Sequence, residues 1–218
     1  MGMAIKAIIL DFDGVILESV QAKTRAFGEL FSKYTNQVQP IIDYHLQNNG
    51  VSRFLKFKYI WEQILKKEYN DAVRDMLGAE FSRITTDEVG KCPFVKGALG
   101  FLKAMSQRFP LYVASAVPDE DLNKIIDKKG IRGYLTKVYG FPPTTKAEAI
   151  KDVLARESIS PGEAVYIGDS LEDLKAARER GVVFVARKNE EDFTGHADQV
   201  FADMDAIAEY LKRLGRVL

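Results

Sequence analysis

Hydrophobic and polar positions divide the chain into segments of two kinds. Residues 4–10 are almost entirely apolar, which is typical of a strand buried within a parallel sheet, and the run ends at Asp11 and Asp13. From residue 17 to residue 90 the apolar positions instead recur with helical spacing. Beyond that region, short apolar runs alternate with helical patterns. The pattern therefore predicts an α/β core with an all-helical insert after the first strand.

Several helices and one irregular stretch are predicted within the insert. Ser19 is expected to cap the first helix, because its hydroxyl can accept a hydrogen bond from a backbone N–H of the first turn. Residues 35–49 are mostly polar and contain Pro40, so they are expected to be irregular around one short apolar turn. Residues 51–69 and 71–84 each place apolar side chains on one helical face, and the aromatic residues of the first are expected to form a core.

The rest of the chain predicts alternating strands and helices. Strands are expected at residues 111–115, 136–139, 164–167 and 182–186, and helices at residues 97–107, 118–129, 145–156, 170–180 and 204–214. Repeated strand–helix units favour a Rossmann-like, doubly wound parallel sheet with helices on both faces. The first strand would join that sheet. Residues 1–16 and 91–218 are therefore assigned to the catalytic core, and residues 17–90 to a helical cap domain.

Composition and charge narrow the class of protein. The 218 residues include 31 basic and 31 acidic side chains, so there is no overall basic field for nucleic acid or an anionic membrane. No apolar run approaches the roughly 18 residues of a membrane span, and the N-terminus lacks the basic region of a signal peptide. The single Cys92 excludes an intramolecular disulfide. We expect a cytoplasmic globular protein, monomer or homodimer, with a small-molecule partner and no nucleic-acid or membrane partner.

Polar side chains mark four positions where predicted strands end or the next helix begins. Carboxyl ends of parallel strands meet at one edge of a sheet, where ligands of open α/β folds bind. The side chains concerned are Asp11, Asp13, Ser115, Lys146, Asp169 and Asp173. Together they would give one crevice four carboxylates, one ammonium and one hydroxyl. That set suits a divalent metal and a phosphoryl group.

The chemistry of these groups favours magnesium. A carboxylate with a pKa of about 4 is ionised at neutral pH and needs no base to act as a nucleophile, but a phosphate dianion repels it. Mg²⁺ prefers oxygen ligands and can bridge carboxylates to phosphate oxygens, so a site rich in Asp and free of His and Cys favours Mg²⁺ over zinc. Lys146 adds positive charge. Ser115 and the backbone N–H groups that follow it can hold phosphate oxygens.

Two motifs carry a resemblance to a known family. Residues 11–15, Asp-Phe-Asp-Gly-Val, are similar to the D-x-D-x-[TV] signature of the haloacid dehalogenase superfamily, and residues 168–173 match its G-D-x-x-x-D motif. Ser115 and Lys146 occupy the second and third motif positions in the right order. A helical insert directly after the first motif resembles the C1 cap of the phosphoglycolate-phosphatase-like subfamily.

The resemblance implies an Mg²⁺-dependent phosphatase of a small phosphorylated metabolite, a sugar phosphate or a phosphoglycolate-like compound. Asp11 would attack phosphorus and form an aspartyl-phosphate. Asp13 would protonate the leaving oxygen, then activate water, and would give its backbone carbonyl to the metal. Asp11 and Asp169 would be side-chain metal ligands. Asp173 would bind through water or accept hydrogen bonds from other ligands, although an acid here also suits the dipole of its own helix.

The resemblance also implies how the phosphoryl group is bound. Ser115, the Ala116 amide and Lys146 would hold its oxygens, with Lys146 also pairing with Asp11. A helix cap for Ser115 and a solvated surface position for Lys146 are the structural alternatives.

The insert should set specificity because it would cover the crevice. Arg53 resembles an arginine that contacts substrate in phosphosugar-processing relatives, and Glu18 lies where the family often has an acid; a plain surface position is the alternative for both. His45 and Lys56 lie close to Arg53 in the sequence. Two other functions use the same sequence features. A phosphomutase would have the same catalytic residues, and a binding or regulatory protein could keep the fold without turnover.

Overall fold

The computed structural model describes residues 5–48, 50–189, 191–197 and 199–213. Its strands are β1 (Ala7–Leu10), β2 (Leu111–Ala114), β3 (Lys137–Tyr139), β4 (Ala164–Gly168), β5 (Val183–Arg187) and β6 (Val200–Phe201). Its α-helices are α1 (Val20–Leu30), α2 (Val38–Gln47), α3 (Arg53–Tyr59), α4 (Asp71–Lys91), α5 (Ala98–Met105), α6 (Asp119–Lys128), α7 (Lys146–Glu157), α8 (Leu171–Arg180) and α9 (Met204–Arg213). Short 3-10 helices lie at Arg132–Tyr134 and Pro161–Glu163, and a π-helical turn, Ile60–Ile64, continues α3.

The strands form one parallel sheet, which confirms the predicted fold class. Their order is β3-β2-β1-β4-β5-β6, and every neighbouring pair is parallel. The chain runs outward from β1 in one direction through β2 and β3, then crosses to β4 on the other side. β1 therefore lies at the switch point of the topology, beside which ligands bind in open α/β sheets. β6, which has only two residues, is not among the predicted strands.

Alternating side chains of β1 serve two separate cores. Ile8 and Leu10 pack into a cluster with residues of α5, α6 and α9, whereas Ala7 and Ile9 pack into a cluster with residues of α7 and α8. Successive residues of a strand point to opposite faces, so a strand that is apolar throughout must be covered on both sides. Helices on both faces make the core doubly wound, as predicted.

Helices α1 to α4, which we call the helical insert, have a hydrophobic cluster of their own. It contains Phe27, Phe57, Trp61 and Phe81, together with smaller apolar residues. The aromatic stripe of the insert is therefore core, as expected. The assignment of residues 17–90 to a separate cap domain stays a prediction.

The expectation that residues 35–49 are irregular is wrong, although Asn49 itself lies outside the described residues. Most of this stretch forms α2. Pro40 is the third residue of that helix, where its missing N–H costs nothing because the first turn has no intrahelical acceptor for it. Ile41 is fully buried in the insert core. Packing of this apolar residue stabilises a helix in a segment whose local composition favours a loop.

Two further expectations about the insert are wrong in part. The helix expected to run to residue 69 ends after the π-helical turn, where Lys66 has a left-handed φ of 54°. Ser19 precedes α1, but its side chain makes no capping hydrogen bond. Its hydroxyl instead donates to Asp13 Oδ1 at 2.5 Å. Ser19 thus contributes to the acidic site rather than to the helix end.

The two connections between core and insert lie side by side. Leu17, on the way out, forms an antiparallel bridge with Phe94, on the way back. The Glu18 N–H donates to the Pro93 carbonyl at 3.0 Å. The insert is therefore joined to the core through a pair of hydrogen-bonded segments next to the end of β1.

Candidate active site

The acids and the hydroxyl predicted from strand ends meet at the carboxyl edge of the sheet. Asp11 follows β1, Ser115 follows β2 and Asp169 follows β4, and all three side chains are buried. β1 pairs with both β2 and β4, so the three strand ends are neighbours. Lys146 begins α7 and reaches the same place.

Lys146 connects two of the buried acids. Its ammonium nitrogen lies 3.1 Å from Asp11 Oδ2 and 2.6 Å from Asp173 Oδ1. The other oxygen of Asp11 accepts from the Phe12 N–H at 2.7 Å. Burial lowers the pKa of Lys146, but Asp11 and Asp173 more than compensate, so its net pKa lies above the ordinary lysine value. Lys146 is therefore held as a cation, and the predicted Lys146–Asp11 pair is present.

Asp173 is completely buried, and both of its oxygens accept several hydrogen bonds. Oδ1 accepts from Lys146 and, at 2.8 Å, from the Tyr166 hydroxyl. Oδ2 accepts from the Ser170 hydroxyl at 2.6 Å and from the backbone N–H groups of Asp169 and Ser170 at 3.3 and 3.1 Å. The Ser170 side chain in turn accepts from the Asp173 N–H, forming a capping box at the start of α8. Asp173 thus fixes the loop that carries Asp169.

A glycine lets the loop after β1 approach Asp169. Gly14 has φ of 71°, and a Cβ atom at this position would lie 1.9 Å from Asp169 Oδ2 and 2.8 Å from Asn189 Nδ2. Asn189 donates to that same Asp169 oxygen at 2.8 Å. Only a residue without a side chain fits here in this backbone conformation. The glycine of the first motif therefore has a steric function in bringing the two acidic loops together.

The three buried acids carry more negative charge than their surroundings compensate. Asp11, Asp169 and Asp173 each have a carboxylate oxygen within 4.8 Å of the others. Burial and repulsion from Asp173 raise the pKa of Asp11 to about 7, and burial together with Asp11 raises the pKa of Asp169 well above its usual range. An added cation would relieve both costs. The carboxylate oxygens of these acids fit a divalent metal. Asp11 and Asp169 are better placed as ligands than Asp173, because both oxygens of Asp173 already accept hydrogen bonds from Lys146, Tyr166 and the loop before α8.

Asp13 lies at the edge of the cavity and has partners from the start of the insert. Its Oδ1 accepts from Ser19, and its Oδ2 forms an ion pair with Lys23 of α1. Lys23 is not among the residues singled out from the sequence. It is one of several polar positions on an amphipathic helix, and only the packing of α1 against the core distinguishes it from its solvated neighbours.

Ser115 and Ala116 follow β2 on the core side of the site. Ser115 is 2% exposed, and its hydroxyl accepts a long hydrogen bond of 3.3 Å from the Val117 N–H. The Ser115 N–H itself is taken by the Tyr139 carbonyl, which extends the pairing of β2 with β3. Both Ser115 and Ala116 line the cavity. The hydroxyl hydrogen of Ser115 is therefore free to point toward a ligand.

The cavity between the acids and the helical insert has a volume of about 70 Å³. On the core side its lining includes Asp11, Ser115 and Lys146, which are all site residues predicted from the sequence. The insert contributes the basic side chains Lys23, His45, Arg53 and Lys56. Acidic groups of the core therefore face basic side chains of the insert across a small cavity.

Arg53, a candidate substrate contact, already has partners. Its guanidinium lies 2.5 Å from Asp121 Oδ2 of α6 and 3.0 Å from the Ser82 hydroxyl of α4. Ser82 also donates to Asp121 at 2.6 Å. The arginine is 8% exposed and lines the cavity, so it links the insert to the core at the wall of the site.

Glu18, the other candidate substrate contact, is paired with Arg187 at the end of β5. One of the two hydrogen bonds measures 3.3 Å. Glu18 is not one of the described residues that line the cavity. No local sequence pattern marks three of these polar residues as part of the site, because each meets its partner only when distant segments fold together. They are Asp121, Arg187 and Asn189.

A family model described as haloacid dehalogenase-like hydrolase matches residues 8–187. The chain belongs to the haloacid dehalogenase-like hydrolases. The match contains β1 from Ile8 onward, β2 to β5 and every site residue discussed above except Asn189, and it confirms the resemblance noted from the two motifs. This haloacid dehalogenase-like chain is accordingly an enzyme of the hydrolase class.

Two relatives and one solved structure show how far the similarity extends. The phosphoglycolate phosphatase of Synechococcus elongatus is 29% identical over 82 residues, which cover 37% of this chain and only 39% of that protein. YhcW of Bacillus subtilis strain 168, named as a phosphatase, is 25% identical over 198 residues, covering 85% of this chain and 84% of that protein. The structure of the hydrolase YfnB from Bacillus subtilis, described as bound to magnesium and as revealing interdomain movement, shares the fold with a TM-score of 0.70 and 18% identity, over 95% of this chain and 99% of that one.

Within the described part of the chain, none of the helices combines the length and the apolar character required to cross a membrane.

Proposed function

We propose that this haloacid dehalogenase-like hydrolase is an Mg²⁺-dependent phosphatase of a small phosphorylated metabolite and that Asp11 is its nucleophile. The observation that carries the proposal is the position of Asp11. It lies at the end of β1, at the switch point of the sheet, with Lys146 on one side and Asp169 within 4.8 Å. A carboxylate in this place can attack phosphorus only if nearby positive charge offsets its repulsion from the phosphate.

Lys146 and Ser115 would supply part of that compensation. The Lys146 ammonium lies 3.1 Å from Asp11 Oδ2, so a phosphoryl oxygen beside the nucleophile would be close to the same cation. The Ser115 hydroxyl and the Ala116 N–H would donate to the remaining phosphoryl oxygens, because both residues line the same cavity as Asp11. Preorganised donors of this kind stabilise charge that develops during phosphoryl transfer.

Asp11 and Asp169 would hold the Mg²⁺ ion, with the backbone carbonyl of Asp13. When bound, Mg²⁺ would neutralise part of the acidic charge and polarise the phosphoryl group. Asp173 would act by orientation, because it receives hydrogen bonds from Lys146 and from the loop that carries Asp169. The magnesium described in the structure of YfnB supports this choice of metal.

Asp13 would move the protons. Its carboxyl group lines the cavity two residues after Asp11, where it could protonate the leaving oxygen and later take a proton from the water that attacks the aspartyl-phosphate. Ser19 donates to one of its oxygens and Lys23 pairs with the other, so both oxygens have defined partners when the insert lies against the core.

The names of the two relatives and the size of the cavity favour a small substrate. One relative is named a phosphoglycolate phosphatase and the other a phosphatase. A cavity of about 70 Å³ suits a compound of few atoms.

The proposal is tested by measuring phosphate release from a panel of small phosphomonoesters and from p-nitrophenyl phosphate, with and without Mg²⁺. Wild type, Asp11→Asn and the control Asp75→Asn, which changes an exposed acid of the insert, are compared. We expect release that depends on Mg²⁺, that Asp11→Asn abolishes and that Asp75→Asn leaves intact. Metal-independent release, or an active Asp11→Asn enzyme, would contradict the proposal. Transfer of the phosphoryl group to a second substrate without phosphate release would indicate a phosphomutase instead.

A further inference from the structure

Lys56 is a buried lysine that has no acidic partner among the described residues. Its side chain is 3% exposed and lines the cavity. The ammonium nitrogen lies 3.0 Å from His45 Nδ1 and 3.3 Å from the His45 carbonyl oxygen, both of which are uncharged acceptors. Two other cations of the cavity wall differ in this respect, since Lys23 pairs with Asp13 and Arg53 with Asp121.

His45 adds a ring nitrogen that has no hydrogen-bond partner among the described residues. Its ring is 4% exposed, lines the same cavity and stacks on Phe27 with a centroid distance of 4.3 Å. Burial and the nearby Lys56 lower its pKa far below the usual histidine range, so the ring is neutral. When Lys56 is protonated, His45 Nδ1 accepts from its ammonium and the proton of the neutral ring is on Nε2, which has no hydrogen-bond partner among the described residues. A buried N–H without an acceptor is costly.

An amine without an acidic partner and a neighbouring ring nitrogen without any hydrogen-bond partner, both in the wall of one cavity and judged among the described residues, indicate a missing anionic acceptor. Desolvation of an ammonium is unfavourable unless an opposite charge or several hydrogen bonds compensate for it. The contacts of Lys56 with His45 and with the Phe27 ring include no opposite charge, and a methionine of similar length would fill the same space without the cost of burying an ammonium. The same cavity contains Asp11, Ser115 and Lys146 on its opposite side.

We propose that Lys56 and His45 bind an anionic oxygen group on the part of the substrate that is not transferred, either a carboxylate or a second phosphate. The Lys56 ammonium would form an ion pair with this group, and His45 Nε2 would donate to one of its oxygens. This inference rests on the proposed phosphatase function and specifies its substrate class: an anionic rather than a neutral or cationic phosphomonoester. Both residues determine specificity, and neither touches the reacting phosphorus.

The test uses three two-carbon probes that differ in one end group. Phosphoglycolate carries a carboxylate, ethylene glycol bisphosphate carries a second phosphate, and hydroxyethyl phosphate carries a neutral hydroxyl. We compare kcat/KM of wild type, Lys56→Met and His45→Phe, which keeps a ring against Phe27 but lacks the Nε2 donor. Lys58→Met is the matched control, because Lys58 lies on the same helix and is exposed.

We expect wild type to prefer one of the anionic probes to hydroxyethyl phosphate. Lys56→Met should lower kcat/KM for the preferred anionic probe about 10- to 100-fold, mainly through KM, as loss of a hydrogen bond to a charged group would. His45→Phe should lower it by about 10-fold. Neither variant should change hydroxyethyl phosphate hydrolysis more than about 3-fold, which is within the context dependence of such contributions. Lys58→Met should behave as wild type. The probe that shows the preference identifies the end group.

Binding measurements separate this inference from the proposed function. Calorimetric titration of the three probes is repeated with Mg²⁺ on an Asp11→Asn background, with and without Lys56→Met, so that no turnover is required. Tighter binding of an anionic probe that Lys56→Met removes supports the inference even if wild type hydrolyses none of the probes. Equal affinity for all three probes, or an equal loss of affinity for all three in Lys56→Met, overturns it. Lys56→Gln serves as a second variant if Lys56→Met does not fold.

Discussion

Lys146 Nζ lies 3.1 Å from Asp11 Oδ2, although the two residues are 135 positions apart in the sequence. The lysine begins α7 and the aspartate ends β1, so the contact exists only because β1 is at the centre of the sheet. The side chains are 10% and 5% exposed. An ion pair with so little access to water is poorly screened, and it makes the lysine the main positive neighbour of the proposed nucleophile.

Lys146→Met should reduce phosphate release at saturating Mg²⁺ about 100- to 1000-fold, the loss typical of removing one preorganised charge-stabilising donor. Circular dichroism should show a native fold. Lys151→Met is the matched control, since Lys151 lies on the same helix and is exposed. Near-normal activity of Lys146→Met would contradict the assigned position of the phosphoryl group.

Gly14→Ala should disable the site through a steric clash. The new methyl carbon would lie 1.9 Å from Asp169 Oδ2, well inside van der Waals contact, and would force the carboxylate out of place. We expect at least about a 100-fold loss of kcat/KM, as misplacement of a positioning group by about 1 Å can cause. The measurement is phosphate release over a range of Mg²⁺ concentrations.

Gly130→Ala is the control for that variant. Gly130 has φ of 67°, so alanine suffers the same backbone strain there, but nothing lies within 4 Å of its added Cβ. Both substitutions should lower the melting temperature, and only Gly14→Ala should lose activity. Equal activities of the two variants would show that the close approach to Asp169 is not required.

Lys56→Met should stabilise the protein at neutral pH. Burial, together with Lys23, lowers the pKa of Lys56 from 10.5 to about 7. Between pH 7 and pH 10.5, Lys56 is protonated in the unfolded chain and largely deprotonated in the folded chain. The free energy of unfolding of the wild type should therefore rise with pH across this window. The charged groups acting on Lys56 are Lys23, Asp13 and Lys146, and the neutral ring of His45 is in contact with it. At pH 7 the variant should gain roughly 2 to 4 kcal/mol over wild type.

Urea unfolding of wild type, Lys56→Met and Lys58→Met at several pH values between 7 and 10 measures this effect. The difference between wild type and Lys56→Met should shrink as the pH rises, whereas Lys58→Met should follow wild type throughout. A Lys56→Met protein less stable than wild type at pH 7 would mean that the lysine contributes to the fold and is not retained at a cost for binding.

The Arg53–Asp121 pair should couple the helical insert to the core. Its side chains are 8% and 13% exposed, and removal of one partner leaves a buried charge. A double-mutant cycle of Arg53→Met and Asp121→Ala, followed by urea unfolding, should give a coupling free energy of about 1.5 to 3 kcal/mol. The Glu120–Lys124 pair on the same helix, 81% and 58% exposed, is the control and should couple far more weakly. Equal coupling in the two pairs would exclude a special linkage through Arg53.

The catalytic edge of the sheet could be predicted from sequence because its signals are local. Asp11, Asp13 and Asp169 directly follow buried apolar runs, and a parallel sheet brings such ends together whatever the strand order. The order itself, with β1 between β2 and β4, depends on crossovers that no local pattern specifies.

The insert was harder to predict because its packing decides both its helices and its polar contacts. Pro40 and polar neighbours favour a loop locally, but burial of Ile41 stabilises α2 there. Lys23 and Lys56 look like ordinary polar positions of amphipathic helices until α1 and α3 are placed over the core. Only the tertiary structure therefore shows which residues of the insert line the cavity.

The central claim is that Asp11 carries the phosphoryl group during turnover. Rapid acid quenching of the wild-type enzyme, mixed with Mg²⁺ and its best substrate, followed by peptide mass spectrometry, tests it most directly. We expect one added phosphoryl group on the peptide that contains Asp11, located on that residue and absent from Asp11→Asn protein treated in the same way. A phosphoryl group found on another residue, or release of phosphate with no phosphorylated enzyme at any quench time, would contradict the account.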